Sequence, residues 1–304
     1  MLGRWLAAAA VIIAIIVFAV GVARGEPVED MFLVAVSLAV AAIPEALPAV
    51  VTIGLAMGAQ RMIRHHALIR KLPAVETLGS VTVICTDKTG TLTEGRMLVE
   101  KVWTLEGAAN VTGSGYEPSG HLVVDGEPAE VGHDTPLAAL LTAAALCNDA
   151  VLVPPAVVGD EWSVVGDPTE GALLALSAKA GFDRQRLNEE YPRRAEIPFD
   201  SDRKRMVTIH RSASGNSGLV ATKGAIEATI DAIEQVATRE GNIDLTPELR
   251  ATVLDEAAEM AAEGYRVLGV AGRLVPDGEL RHVLESEEDL VLYGLVAMAD
   301  PPRA

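Results

Sequence analysis

The chain has 304 residues, 50% of them hydrophobic, and its mean hydropathy of +0.29 is high for a soluble protein. Its 42 acidic and 25 basic residues give a net charge of −17, which argues against nucleic acid as a partner. The two cysteines, Cys85 and Cys147, are too few for a disulfide framework and indicate a reducing compartment; because both lie in apolar runs, we predict that both are buried.

Two apolar stretches near the N-terminus, Trp5–Ala23 and Met31–Ala59, predict a transmembrane helical hairpin over residues 1–60. The first stretch contains no charged residue and the second contains only Glu45. A basic segment follows, with Arg61, Arg64, Arg70 and Lys71. By the positive-inside tendency this segment places the large C-terminal part in the cytoplasm. A cleaved signal peptide over the first 23 residues is the alternative.

The second apolar stretch is interrupted by Pro44, Glu45 and Pro48. Proline removes a backbone donor and unwinds a helix, which leaves carbonyl groups available to a cation. A lone carboxylate inside a membrane is costly and is by default functional. We therefore predict a cation site around Glu45; the structural alternatives are that Glu45 snorkels to the membrane surface or pairs with another helix.

Further along the chain, Val81–Thr86 is a β-branched apolar run that predicts a buried strand ending at Asp87. From about Val99 the pattern changes to short strands and turns, including a hairpin signal at Asp125-Gly126. Helical patterns occur at Pro136–Cys147, Gly171–Ala180 and Pro247–Glu263. A strand that stops at a loop is where open α/β sheets place their chemistry, and the later short strands mixed with helices predict an α+β domain.

The loop after the predicted strand reads DKTGTLT over residues 87–93. Asp87 supplies a carboxylate nucleophile, the amides and hydroxyls from Thr89 to Thr91 can receive phosphate oxygens, and Lys88 adds positive charge. An ordinary aspartate in a strand-end turn is the alternative. This heptapeptide is the phosphorylation signature of P-type ATPases, and the chain resembles that family.

The resemblance implies a phosphoenzyme formed at Asp87 on a partial haloacid-dehalogenase-like Rossmann domain. Related phosphatases place a second aspartate two residues after the nucleophile, where this chain has Thr89. The family holds Mg²⁺ with the nucleophilic carboxylate, here Asp87, with the carbonyl two residues on, here Thr89, and with a later GDGxND motif that this chain lacks. The last residues match the family's DPPR hinge: Asp300, Pro301, Pro302 and Arg303.

The stretch from Pro44 to Pro48 resembles the PEGLP segment of calcium-type pumps, with Ala46 in place of glycine. Carried over by position, the resemblance implies four cation ligands: the carbonyls of Val40, Ala41 and Ile43 and the side chain of Glu45. Such hard oxygen donors suit Ca²⁺ and similar ions, whereas copper or zinc pumps show a Cys-Pro-Cys type motif here.

Four later segments resemble the family's nucleotide-binding motifs in the family's order: Gly166–Ala172, Pro198–Met206, Thr222–Glu227 and Gly264–Leu268. The third departs from the family's KGAPE because Ile226 replaces proline. The resemblance implies an ATP site in which a glutamate contacts the adenine edge, an aromatic ring stacks on adenine and cations attend the ligand: Glu170, Phe199, Lys204, Lys223 and Arg266.

The resemblance thus predicts a hairpin at 1–60, a stalk and first phosphorylation-domain segment at 61–95, a nucleotide-binding domain with an antiparallel sheet at 96–299 and a hinge at 300–304. It implies part of an ATP-driven, calcium-like cation pump in the plasma membrane, using ATP and Mg²⁺. Its partners would be the cation, the lipid bilayer and the rest of the pump, namely the actuator domain and later membrane helices. A membrane-anchored phosphatase of the same superfold and a non-catalytic regulatory subunit are the alternatives.

Overall fold

The computed structural model describes residues 2–42, 46–157, 160–215, 217–276 and 288–303. Its chain forms two compact units, Met1–Cys85 and Thr86–Ala304. The boundary lies two residues before Asp87, so the predicted phosphorylation loop belongs to the second unit.

The first unit contains helices: α1 (Leu2–Ala23), α2 (Val28–Ala41), α3 (Leu47–Arg64) and α4 (Pro73–Gly79). A short turn joins α1 to α2, and the two pack closely enough that a Cβ on Gly21 would collide with the side chain of Met31. Within the described ranges, no helix combines the length and the apolar character that a membrane crossing requires. The predicted transmembrane hairpin is therefore not confirmed.

The strand that the sequence predicts at Val81–Thr86 is absent, and this prediction is wrong for the described structure. These residues are irregular and exposed, and Cys85 is exposed with them, which also corrects its predicted burial. A strand persists only where a neighbour satisfies its backbone groups. Among the described residues, no segment pairs with this run. Cys147, by contrast, is fully buried as predicted.

The second unit is built on strands, here given in chain order: β1 (Leu98–Thr104), β2 (Gly107–Val111), β3 (Leu122–Val124), β4 (Glu127–Pro128), β5 (Val151–Val153), β6 (Ser163–Val165), β7 (Arg193–Asp200), β8 (Arg205–Arg211), β9 (Ser217–Gly224), β10 (Ile233–Thr238), β11 (Gly241–Asp244), β12 (Arg266–Pro276) and β13 (Leu290–Ala299). Its helices are α5 (Pro136–Leu146), α6 (Pro168–Lys179), α7 (Arg184–Glu190), α8 (Ile226–Thr229) and α9 (Pro247–Ala262). A π-helical turn at Lys88–Leu92 and a 3₁₀ turn at Ile230–Ala232 complete the regular elements.

Most of the described strands form one large sheet in the order β4-β3-β2-β1-β13-β12-β9-β8-β7, with β10 and β11 attached beside β13. Neighbours are antiparallel except β10 and β13, which run parallel. β13 pairs with β10 through Leu290–Leu292 and with β1 from Leu295 onward. Gly294 lies at this change of partner, where a Cβ would meet the carbonyl oxygen of Trp103 at 2.2 Å. The predicted antiparallel domain is confirmed.

Helices cover both faces of the sheet. On one face α5 and α6 bury leucine and alanine side chains against Val296 and Met298 of β13. On the other, α8 and α9 pack against Leu292 and Leu295 of the same strand. Helix α5 is apolar almost all round because the sheet covers one side and α6 the other. β13 is therefore the central strand of the core.

Local signals position several of these elements as predicted. Thr135 caps α5 and Thr246 caps α9, each accepting a hydrogen bond from a backbone N–H three residues on. The helix predicted at Gly171–Ala180 begins three residues earlier, at Pro168, because Asp167 is its N-cap. Asp125 and Gly126 have φ of 52° and 87° and turn β3 into β4, as a two-residue hairpin requires.

Candidate functional site

One edge of the sheet gathers four of the five predicted nucleotide residues. Phe199 lies near the end of β7, Lys204 just before β8, Lys223 near the end of β9 and Arg266 at the start of β12. In an antiparallel sheet the end of one strand and the start of the next share an edge. Motifs that are dispersed along the sequence therefore lie at the same end of four neighbouring strands.

The fifth residue, Glu170, reaches this edge from the first turn of α6 and contacts Lys223 directly. The Lys223 ammonium group lies 2.6 Å from Oε1 of Glu170, and the two side chains are only 9% and 13% exposed. Lys223 also donates to the backbone carbonyl of Cys147. Because a buried charge is costly unless it is paired and hydrogen-bonded, this ion pair is a specific arrangement within the fold.

The second carboxylate oxygen of Glu170 is held by backbone amides. The N–H groups of Asp149 and Ala150 donate to Oε2 at 3.0 and 3.1 Å. The side chain of Asn148 donates to the backbone carbonyl of Glu170 at 2.8 Å. The carboxylate is thus an oriented acceptor at the end of α5.

Phe199 and Lys204 are open to a ligand. Phe199 is 62% exposed although it is aromatic, and Lys204 is exposed in the turn between β7 and β8 with φ of 52°. The side chain of Asp200 shapes this turn by accepting hydrogen bonds from the N–H groups of Asp202 and Arg203. An exposed ring and an exposed cation in one hairpin suit a planar, electron-rich ligand such as a purine.

The turn of Lys204 is fastened to the segment after Lys223. The N–H of Ala225 donates to the carbonyl of Lys204 at 3.0 Å, and a Cβ on Gly224 would lie 2.6 Å from that same oxygen. Ile226, which replaces the family's proline, is the first residue of α8 and is fully buried. Proline is also favoured at the first position of a helix. The replacement of proline by isoleucine therefore leaves the start of α8 at the same residue.

Asp87 lies in an exposed irregular segment immediately before the π-helical turn. The hydroxyl of Thr86 donates to the backbone carbonyl of Asp87 at 3.2 Å. The side chains of Lys88 and Thr89 lie outside the described part of the structure. The predicted nucleophile is therefore accessible to solvent, and its pairing with those two residues stays a prediction.

The predicted hinge residues bind directly to this loop and to the residues that follow it. Asp300 accepts hydrogen bonds from the hydroxyl of Thr93 at 2.6 Å and from the N–H groups of Gly95 and Arg96 at 2.9 and 3.2 Å. Arg303 donates to the carbonyls of Thr93 and Gly90 at 2.9 and 3.1 Å. An isolated bridge joins Thr93 to Pro302, and the N–H of Glu94 donates to the carbonyl of Pro301 at 2.9 Å. The segment before β1 and the segment after β13 are thus joined to each other by hydrogen bonds.

The predicted metal ligands divide between the two units. Mg²⁺ commonly takes one or two protein oxygens together with phosphate and water oxygens, and Asp87 with the carbonyl of Thr89 fits that donor set. Among the described residues, no group of three or more His, Cys, Asp or Glu side chains is arranged to hold a metal ion. Of the predicted transported-cation ligands, Val40 and Ala41 are the last two residues of α2. Ile43 and Glu45 fall outside the described residues.

Two arginines beside the site escaped prediction from the sequence. Arg193 Nη2 donates to the carbonyl of Asn148 at 2.8 Å, and Arg184 donates to the carbonyls of Asn148 and Ala150. Arg193 also pairs with Asp149 at 2.6 Å. Neither arginine stands in a motif, and both reach residues more than 30 positions away. No signal within the sequence marked them.

Comparison with known protein families identifies the domain type of residues 136–304. This range matches the sequence profile of the P-type ATPase, cytoplasmic domain N. The match covers more than half of the chain and includes α5, α6, the predicted nucleotide residues and the hinge.

Curated relatives match over nearly the whole chain. The chain is 46% identical over 296 residues to the probable cation-transporting ATPase F of Mycobacterium tuberculosis, covering 96% of this chain and 32% of that protein. It is 38% identical over 302 residues to the calcium-transporting ATPase of Bacillus subtilis, covering 99% of this chain and 34% of that protein. It is 40% identical over 291 residues to the human calcium-transporting ATPase type 2C member 1, with 95% and 30% covered.

The chain therefore spans about a third of the length of the curated relatives that it matches. The match of the domain profile and the fold of the sheet domain lead to the same assignment. The chain belongs to the P-type ATPase family, and its residues 136–304 correspond to the family's cytoplasmic domain N.

Proposed function

We propose that this chain binds ATP at the sheet edge of Glu170 and Lys223 and accepts the terminal phosphoryl group on Asp87. The observation that carries the proposal is the nearly buried ion pair between these two side chains, with Oε1 and Nζ 2.6 Å apart, at the edge of the sheet that also carries the exposed ring of Phe199. The ion pair and the ring come from three separate motifs that the family shares.

In the proposed complex the adenine ring stacks on Phe199, and its amino group donates to the carboxylate of Glu170. Lys204 supplies a cation near the ring and Arg266 reaches the phosphates, where a guanidinium group can bind two oxygens at once. Lys223 holds Glu170 and lines the pocket. The exposure of Phe199, Lys204 and Arg266 supports this arrangement, because a ligand can approach all three.

The chemical step is a phosphoryl transfer. A carboxylate oxygen of Asp87 attacks the γ-phosphorus of ATP, the bond from that phosphorus to the β–γ bridging oxygen breaks, and ADP leaves with this oxygen. Mg²⁺, when bound, neutralises negative charge on the phosphate oxygens. The exposed position of Asp87 supports its role as the acceptor, since the phosphate must reach it from solvent.

We propose further that the chain is part of an ATP-driven pump in the plasma membrane that moves Ca²⁺ or a similar hard cation, with its catalytic part in the cytoplasm. Two relatives are named calcium-transporting ATPases, and each is about three times as long as the region matched. The apolar stretches of α1 to α3 would form the membrane hairpin. The oxygen atoms of Val40, Ala41, Ile43 and Glu45 would contribute to the cation site, and the remaining ligands and the actuator domain would come from the rest of the pump.

A binding experiment tests the nucleotide site on the 304-residue chain. Phe199→Ala removes the exposed ring and is expected to weaken ATP binding by about tenfold, since stacking on a base contributes roughly 1–3 kcal/mol. Leu274→Ala is the matched control, because Leu274 is also a β-strand residue and is 68% exposed. Equal ATP affinity in Phe199→Ala and wild type would refute this site.

A second experiment tests the acceptor. After incubation of the complete pump with γ-labelled ATP and Mg²⁺, an acid quench should leave label on Asp87 and none in Asp87→Asn. Label that survives in Asp87→Asn would exclude this aspartate as the acceptor. Rapid turnover of small phosphate esters without ATP would favour the phosphatase alternative instead.

A further inference from the structure

The loop Cys147–Ala150, which joins α5 to β5, is held on its carbonyl side by two arginines. Arg193 Nη2 donates to the carbonyl oxygen of Asn148 at 2.8 Å. Arg184 donates to that same oxygen and to the carbonyl oxygen of Ala150. Both guanidinium groups therefore meet one carbonyl at the C-terminal end of α5, where the helix dipole favours positive charge.

The opposite side of this loop faces the carboxylate of Glu170. A peptide unit is planar and trans, so the carbonyl of one residue and the N–H of the next point in opposite directions. Fixing the carbonyl of Asn148 therefore fixes the N–H of Asp149, which donates to Oε2 of Glu170 at 3.0 Å. The N–H of Ala150 donates to that same oxygen at 3.1 Å and to Oδ1 of Asn148 at 3.0 Å, and Arg184 holds this residue by its carbonyl oxygen.

Holding two cations on one carbonyl costs free energy. Burial, and then the charge of Arg193, lower the pKa of Arg184 below its ordinary value. Carboxylates offset part of this cost, since Arg193 pairs with Asp149 at 2.6 Å and with Glu196 at 2.8 Å. The fold thus maintains a charged cluster that binds one side of the peptide unit between Asn148 and Asp149. The other side of that unit binds Glu170.

The consequence for a ligand follows from the chemistry of the carboxylate. An ionised carboxylate only accepts hydrogen bonds, so it favours a base that presents an amino group and opposes a base that presents a carbonyl oxygen. Adenine has an amino group at position 6, whereas hypoxanthine and guanine have an oxygen there. A carboxylate held in one orientation discriminates between them more sharply than a mobile one.

We infer that Arg184 and Arg193 are positioning residues that set the preference of this site for 6-aminopurine nucleotides, acting through the loop Cys147–Ala150 on Glu170. This inference rests on the proposed ATP site. It adds two residues that would affect nucleotide selectivity without touching the nucleotide. Both arginines lie outside every recognised motif.

The test compares ATP with inosine triphosphate, in which an oxygen replaces the 6-amino group, by calorimetric titration of the 304-residue chain. Wild type should bind ATP more tightly. Arg193→Gln should weaken ATP binding by about tenfold and leave inosine triphosphate nearly unchanged, because a hydrogen bond to a charged group contributes roughly 1.5 kcal/mol. Arg193→Lys keeps the charge but not the forked donor, so the ATP preference should fall by a smaller factor.

Arg250→Gln is the matched control, because Arg250 also donates to a backbone carbonyl, that of Ile230, and pairs with Asp231. It should leave both affinities as in wild type. If Arg193→Gln does not fold, Arg193→Lys and Arg184→Gln decide the question by the same ratio.

The outcomes separate the inference from the proposed function. A wild-type chain that binds no ATP contradicts the proposed function, and the inference fails with it. A wild-type chain that prefers ATP, combined with arginine variants that weaken both nucleotides equally, leaves the proposed function standing and shows that the arginines only stabilise the fold. Equal binding of the two nucleotides by wild type also overturns the inference.

Discussion

The hydroxyl of Thr93 donates to Oδ2 of Asp300 at 2.6 Å, across 207 positions of sequence. The same hydroxyl accepts a hydrogen bond from the N–H of Gly90 at 3.0 Å, so it links the predicted phosphorylation loop to the predicted hinge. These contacts join the segment that precedes β1 to the segment that follows β13.

Removal of the hinge carboxylate should loosen the entry segment. Asp300→Ala leaves the N–H groups of Gly95 and Arg96 without their acceptor, and we expect faster hydrogen exchange at these two amides by about tenfold or more. Asp300→Asn is the matched variant, since its remaining oxygen can still accept from both amides. Equal exchange in the two variants would contradict the assigned role of Oδ1.

Breaking the ion pair of the proposed nucleotide site should destabilise the domain. Lys223→Met leaves the carboxylate of Glu170 nearly buried without its cation, which is expected to lower the free energy of unfolding by about 3 kcal/mol. Lys101→Met is the control, because Lys101 pairs with Glu263, which is 55% exposed, and such pairs contribute about 1 kcal/mol or less. Urea unfolding measures both variants, and similar losses would show that burial does not strengthen the dependence on Lys223.

Close packing between Gly269 and Ile226 should appear as coupling between two substitutions. A Cβ on residue 269 would lie 2.9 Å from Cδ1 of Ile226, so Gly269→Ala is expected to cost about 1–3 kcal/mol of stability. Ile226→Val removes Cδ1, and the next contacts, at 3.6 Å, are ordinary ones. In that background Gly269→Ala should cost less than in wild type. Additive losses in a double-mutant cycle would refute the predicted clash.

Acid should destabilise the domain through His210. Burial lowers the pKa of His210 from 6.5 to about 4, although its ring nitrogens contact the carbonyl of Tyr191 and the hydroxyl of Thr208, each at 2.9 Å. Between about pH 4 and pH 6.5 the unfolded chain binds a proton at His210 that the folded chain does not bind. The free energy of unfolding should therefore fall as pH decreases, by about 2 kcal/mol between pH 7 and pH 5.

Urea unfolding at the two pH values checks this expectation. His210→Asn should reduce the fall in stability by about that amount, while His121→Asn, at an exposed histidine, should keep the wild-type fall. A fall that is the same in His210→Asn as in wild type would assign the acid sensitivity to other groups.

The sequence alone determined the features that depend on local chemistry. The run of residues 87–93 and the order of the later motifs were sufficient to predict the family, because each motif is a short string of fixed residue types. The helices near Pro136 and Pro247 and the hairpin at Asp125 were predictable because caps, periodicity and turn residues act within a few positions.

Only the tertiary structure decided which side chains meet. Val81–Thr86 has the composition of a strand but lacks a pairing neighbour among the described residues, and composition does not reveal that lack. The contact of Lys223 with Glu170 spans 53 positions, and that of Arg193 with Asn148 spans 45. Such contacts depend on how the sheet and helices pack, because no local pattern in the sequence records which distant residues the fold brings within hydrogen-bond distance.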